Sequence, residues 1–185
     1  MALTESNMLP LGTKAPDFTL LDTVSGKDWS LAGLASGKAT VIMFICNHCP
    51  YVIHVNSEVK RLSDDYLAKG VNFIAISSND VDNYPHDSPA LMTKLVKEEG
   101  FNFPYLYDES QDVAKAYDAA CTPDFYVFDG DLKLAYRGRL DDSRPGSKTE
   151  LTGGDLRGAI DAVLEGGEVS KKQYPSAGCN IKWKK

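Results

Sequence analysis

The sequence predicts an α/β fold: a central mixed sheet with helices on both faces and an N-terminal β-hairpin extension. Three observations carry this. Two continuous β-branched and aromatic runs, Ala39 to Ile45 and Val71 to Ile76, read as strands buried on both faces, and a helical apolar pattern follows each. Phe125 to Phe128 and Leu132 to Tyr136 flank Asp129-Gly130-Asp131, and Asp-Gly favours the positive φ angles of a tight antiparallel hairpin. The 185 residues contain no repeat, low-complexity tract or Ser/Pro-rich linker, and at roughly 150 residues per domain they make about one domain.

Each element follows from its local pattern. Asp17 to Leu21 and Trp29 to Leu31, separated by Ser25-Gly26-Lys27, suggest a small hairpin ahead of the main core. After the first buried strand, Val52, Val55, Val59, Leu62 and Tyr66 recur at steps of three and four until Gly70, the pattern of a long amphipathic helix. Ser88-Pro89 opens a second helix carrying Leu91, Leu95 and Val96, and Gly100 ends it. Tyr105 to Tyr107 is a short strand, and a short helix follows from Ser110, whose hydroxyl is expected to cap the first turn beside Asp112. A last helix from Gly154 to Glu165 aligns Leu156, Ile160, Val163 and Leu164. The expected organisation is a single domain over residues 1–185, with its core at 11–165 and a mostly polar tail at 166–185.

Charge and hydropathy exclude several functions. Lys plus Arg number 20 against 26 Asp plus Glu, and the net charge of -6 leaves no basic field for nucleic acid or an anionic membrane. The longest apolar run, Val41 to Cys46, is far short of the roughly 20 residues that span a bilayer. Met1 to Asn7 has a glutamate, no Lys or Arg and no following apolar stretch, so no secretory signal is expected and the cytoplasm is the expected location. A chain this long buries enough surface to fold without staples, so its four cysteines suggest thiol chemistry or metal binding.

Cys46-Asn47-His48-Cys49 falls between the buried strand and the long helix, with Pro50 next. A cysteine at a helix N-terminus faces unpaired N–H groups and the positive end of the helix dipole, which favour the thiolate that attacks disulfides. Two intervening residues let the second sulfur reach the first, and Pro50 suits a first turn. His48 is expected to stabilise the reduced thiolate; the alternative is a solvated loop residue. His54 and His86 read as solvent-facing. The CxxC is equally half of a zinc site if Cys121 and Cys179 complete it, although those two are single and widely spaced. The simpler readings are a buried small hydrophobe for Cys121 and an exposed tail thiol for Cys179. Arg137-Gly138-Arg139 could orient a partner but reads more simply as a solvated strand end, and Asp141-Asp142 is weak evidence for a cation. No metal and no cofactor are expected.

The CxxC between strand and helix, Thr122-Pro123 before a strand, and the closing helix together resemble thioredoxin. Gly12-Thr13-Lys14-Ala15-Pro16-Asp17-Phe18 resembles the start of redoxins of the alkyl hydroperoxide reductase/thiol-specific antioxidant (AhpC/TSA) type. The resemblance spans about Leu11 to Glu165, and Pro175 to Cys179 with Trp183 is similar to the tail of thioredoxin-related, peroxiredoxin-like proteins. It implies a thioredoxin-like fold in which Cys46 is the exposed nucleophile and Cys49 the resolving thiol. Asn47, His48 and Pro50 would tune the pair, Pro123 would be the cis proline, and the backbone of Thr122 would pair with an extended substrate. Three departures stand out: Asn-His replaces Gly-Pro between the cysteines, Ile45 replaces the preceding Trp, and Thr40 stands where thioredoxins keep a buried acid.

The leading expectation is thiol–disulfide exchange through a Cys46 mixed disulfide, with a protein disulfide or dithiol as substrate and an outside reductant. A monomer or weak dimer is expected. The runner-up is a peroxidase, but aligning the peroxiredoxin motif Pro-x-x-x-Thr/Ser-x-x-Cys on Cys49 puts Ile42 at the proline and Cys46 at the hydroxyl. A zinc-binding or redox-sensing module is the third reading.

Overall fold

A computed structural model of the protein describes residues 3–185. Met1 and Ala2, which belong to the stretch read as lacking a secretory signal, lie outside the described residues. In chain order the elements are β1 (Leu3–Glu5), β2 (Thr19–Asp22), β3 (Asp28–Ser30), α1 (Leu31–Leu34), β4 (Ala39–Phe44), α2 (Pro50–Leu67) and β5 (Val71–Ser77). A turn of 3-10 helix at Pro85–Asp87 precedes α3 (Pro89–Glu99), β6 (Tyr105–Tyr107), α4 (Asp112–Ala116) and β7 (Cys121–Thr122). The chain continues through β8 (Asp124–Asp129), β9 (Leu134–Gly138), α5 (Gly154–Leu164) and β10 (Ala177–Asn180).

Seven strands form the central sheet in the order β3-β2-β6-β5-β4-β8-β9. β4, β5 and β6 are parallel, while β8 returns antiparallel beside β4 and β9 beside β8, so the sheet is mixed as expected. The expected N-terminal hairpin is β2–β3, which extends the sheet beyond β6. β4 is buried throughout because successive side chains face opposite sides. Val41 and Met43 pack with Val52, Leu62, Met92 and Ile160 from α2, α3 and α5. Ile42 and Phe44 pack with Leu31, Ala114 and Tyr117 on the opposite face. Among the described residues no helix is long and apolar enough to cross a membrane.

Three local expectations are corrected. The β8–β9 turn does not use Gly130 for positive φ; Leu132 takes that conformation at 57°. Asp129 closes the turn by accepting from the N–H groups of Asp131 and Lys133, each at 2.9 Å. Gly130 is needed for a different reason, since any side chain there would strike the Gly37 carbonyl. At α4 the Ser110 hydroxyl does accept from the Asp112 N–H at 3.2 Å, but the capping residue is Gln111, in the left-handed conformation, and the Asp108 carboxylate receives the Ala114 N–H at 2.9 Å.

The third correction concerns the tail, which is built into the fold. β10 lies between β1 and β7 in a second, three-stranded sheet, with Cys179 opposite both Leu3 and Thr122. The Ile181 N–H donates to the Ala120 carbonyl at 3.0 Å, and the Lys182 N–H donates to Asn79 at 2.8 Å. Ile181 is itself a core residue. Composition hid this because a strand of Ala-Gly-Cys-Asn carries no hydrophobic alternation.

Candidate active site

β4 delivers the chain to the C-terminal end of the sheet's parallel strands, and residues 45–49 turn before α2 begins. The helix starts at Pro50, whose missing N–H is not needed there, and Cys49 is its N-cap. The unpaired amides and the dipole therefore act at Cys49, three residues later than the expected thiolate, Cys46. The expected exposure of Cys46 is corrected as well: it is 1% exposed and Cys49 is 0%.

The two sulfurs have different neighbours. Cys46 Sγ lies 3.4 Å from the Thr122 hydroxyl. Cys49 Sγ lies 3.4 Å from the Thr122 carbonyl oxygen and 2.8 Å from Cys179 Sγ. The Cys46 thiol donates to Cys49 and so pulls it down to about 5, against the effect of burial; the Cys179 thiol and the backbone amides of Val52 and Cys179 act in the same direction. Cys46 moves the opposite way, raised by that donation, by burial and by the negative charge of Asp87. The two thiols are thus shifted in opposite directions, so the pair gives up its first proton more readily than an isolated buried thiol and holds its second.

Asp87 organises the loop between the cysteines. It is completely buried and accepts from the Asn47 backbone N–H and from Asn79 Nδ2, each at 2.8 Å. His48 Nδ1 stands 2.7 Å from the same carboxylate, and the imidazole stacks on Tyr84 with ring centroids 5.9 Å apart. Asn47 Nδ2 donates to the His86 carbonyl at 2.9 Å, and Asn47 Oδ1 accepts from the Tyr105 hydroxyl at 3.2 Å. His48 thus stands within ion-pair distance of Asp87 and against Tyr84, and among the described residues there is no hydrogen bond at its Nδ1. Cys46, His48 and Asp87 each offer one donor atom within 4.8 Å of the others, a set that could hold a metal ion.

The Thr122–Pro123 peptide is cis. Thr122 pairs with the chain's own Cys179, and a side chain on Gly178 would strike the Thr122 carbonyl. Cys121 is buried, as its simpler reading expects, with its sulfur 3.9 Å from the Pro123 carbonyl oxygen. Cys179 is a correction: it is 4% exposed instead of lying in an open tail.

The weaker candidates have structural partners. His54 is half-buried instead of solvent-facing, with Nε2 2.8 Å from the Ser143 hydroxyl, whereas His86 is exposed. Arg137 binds Gln173 at 2.7 Å, and Arg139 binds Asp155 at 2.6 Å and covers the Tyr174 ring. Asp141 accepts the N–H groups of Ser143, Thr152 and Gly153, so its charge is spent holding a loop. Thr40 Oγ1 accepts the Ser36 N–H at 2.9 Å.

Two carboxylates escaped the sequence reading. Asp87 sits beside His86 in a polar stretch, and nothing local marks it as buried. Asp124, next to Pro123, is wholly enclosed; burial pushes it up to about 7, while hydrogen bonds from Ser6 and Tyr126 oppose that rise. Its position directly after Thr122-Pro123 was the available signal.

Fold and site together define a thioredoxin-fold protein with a dithiol where its long second helix begins. The AhpC/TSA family profile matches residues 11–137, and the chain belongs to that family. An uncharacterized conserved protein from Geobacillus kaustophilus is 59% identical, with a TM-score of 0.98 over 100% of this chain and 97% of that one. A hypothetical protein from Sinorhizobium meliloti is 45% identical, with a TM-score of 0.95 over 98% of each chain. A secreted disulfide oxidoreductase of Mycobacterium tuberculosis, 19% identical over 78% of this chain and 95% of its own, shares the fold at a TM-score of 0.60. No curated protein matches the chain.

Proposed function

We propose that this protein is a thiol–disulfide oxidoreductase that exchanges its Cys46–Cys49 dithiol with protein disulfides. The supporting feature is the polarised pair: Cys49, on the helix cap, is lowered by the thiol of its neighbour Cys46, which is raised in turn. Cys49 takes the Cys46 proton as Cys46 attacks a substrate sulfur, so Cys46 becomes nucleophilic at the moment of reaction. The substrate's disulfide breaks, one half leaves as a thiolate, and the other half stays on Cys46. Cys49 gives up its proton to the leaving sulfur and attacks Cys46 Sγ. The second half of the substrate departs as a thiolate, which takes a proton from water, leaving a Cys46–Cys49 disulfide for an outside dithiol to reduce.

Asn47, His48 and Pro50 shape the loop that holds the pair, and Thr122, next to the cis Pro123, meets Cys46 through its hydroxyl and Cys49 through its carbonyl. The peroxidase reading lacks support from the residues, because Cys46 occupies the place of the hydroxyl that would polarise a peroxide.

The test compares reduction of a protein disulfide with consumption of hydrogen peroxide by the reduced protein. Rapid disulfide reduction is expected; rapid peroxide turnover without it would replace this reading. A second reading, metal storage, rests on the Cys46, His48 and Asp87 donors. Stoichiometric zinc in freshly purified protein, with Cys46 protected from alkylation, would favour it.

A further inference from the structure

Cys179 has no role in the exchange just described, yet it touches the centre. Its sulfur lies 2.8 Å from Cys49 Sγ, closer than the roughly 3.5–4.0 Å optimum for a pair of non-bonded heavy atoms. A short further approach would bring the two to bonding distance. The placement is built into the fold. β10 pairs Cys179 with Thr122, and Gly178 lets the strand lie against the Thr122 carbonyl, where a side chain would not fit. Ser176 anchors the entry to the strand by donating to the Pro123 carbonyl, and Lys182 anchors the exit through Asn79. Cys49 therefore has a sulfur neighbour on each side, Cys46 from its own loop and Cys179 from the tail. Cys121, the fourth cysteine, faces carbonyl oxygens of Pro123 and Ser176 instead.

Resting on the oxidoreductase reading above, we infer that Cys179 is a third redox thiol, which takes the disulfide over from Cys46 by exchange at Cys49. In the oxidised protein the Cys179 sulfur attacks Cys49 Sγ. The Cys49–Cys179 bond forms and the Cys46–Cys49 bond breaks. The electron pair leaves with Cys46 Sγ, which takes the proton Cys179 gives up. No outside oxidant is consumed, because the oxidising equivalent came from the substrate disulfide and only changes place. The result is a buried disulfide between α2 and β10 and a reduced Cys46.

The experiment oxidises the full-length protein with oxidised glutathione, quenches it in acid, alkylates the remaining thiols and maps tryptic peptides. Cys46 and Cys49 fall in one peptide, residues 39–60, and Cys179 in another, residues 173–182. Wild type is expected to give both a looped 39–60 peptide and a 39–60 to 173–182 cross-link. The looped peptide without the cross-link overturns the third thiol and leaves the oxidoreductase reading standing. Absence of both sinks that reading and the inference together.

Cys46→Ser sharpens the test. Glutathione captured on Cys49 is expected to be expelled by Cys179, so two thiols are lost, the cross-link forms and no glutathione is retained. Cys46→Ser/Cys179→Ala is expected to stop at the Cys49 glutathione adduct. A Cys46→Ser protein that keeps its glutathione with Cys179 still alkylatable overturns the proposal. Should a variant fail to fold, the wild-type map decides alone.

Discussion

Cys49 and Cys121 are equally shut off from solvent, yet their sulfurs are driven in opposite directions. Cys49, at the cap of α2, receives donors from two thiols and from backbone amides and falls to about 5. Cys121, in β7, is raised by burial and then by the neighbouring Asp124. Its sulfur contacts the Pro123 and Ser176 carbonyls, which a neutral thiol satisfies and a thiolate does not; Cys49 has one such contact, with the Thr122 carbonyl, and its donors outweigh it. Burial alone penalises both ions alike. What separates the two sites is the balance of donating against accepting groups around each sulfur.

The largest effect that would break this contrast is on turnover. Cys49→Ala is expected to lower disulfide reduction by on the order of a thousandfold or more, whereas Cys121→Ala leaves the rate unchanged and costs stability on the order of 1 kcal/mol. Equal losses of turnover in the two variants would erase the distinction.

Next comes the pH dependence of stability around β7. Asp124 is ordinarily a carboxyl of pKa 3.8 and is pushed up to about 7 in the folded chain. A raised acid binds its proton more tightly when folded, so its stabilising effect is complete below pH 4 and is lost as pH rises through 7. The loss is on the order of 4 kcal/mol, and Asp124→Asn is expected to flatten the stability curve between those limits in urea titrations. A parallel curve for the variant would remove Asp124 from the account.

Cys49 has the opposite sign. Its folded value of about 5 lies below the ordinary 9.0, so its contribution is complete above pH 9 and is lost as pH falls through 5. Thiolate absorbance near neutral pH should vanish in Cys49→Ser and persist in Cys121→Ala. The smallest effect concerns Asp87. In a Cys49→Ser background, Asp87→Asn removes a negative charge beside Cys46, and labelling of Cys46 by iodoacetamide should shift to lower pH.

The parts legible in the sequence were those encoded by neighbours in the chain. The runs at 39–45 and 71–76, the apolar stripe of α2 and the CxxC each carry their meaning within one turn or one strand. β10 does not. Its four residues become a strand only because Thr122 on one side and Leu3 on the other supply partners more than fifty positions away, and no periodicity announces such a pairing. The start of α2 at Pro50 was legible, but which cysteine caps it was not: a cap is a matter of backbone angle, and Cys46 and Cys49 are the same residue type. Asp87 and Asp124 are ordinary surface letters in composition, made exceptional by enclosure.

The pairing of Thr122 with Cys179 also constrains visitors. A polypeptide hoping to lay an extra strand along that edge finds the berth taken by a segment of the host itself. Under the proposed exchange, and unless β10 lifts away, a client would have to offer its cystine on a protruding loop and not on an added strand. Choice among clients would then depend on shape and charge, with main-chain zippering playing no part.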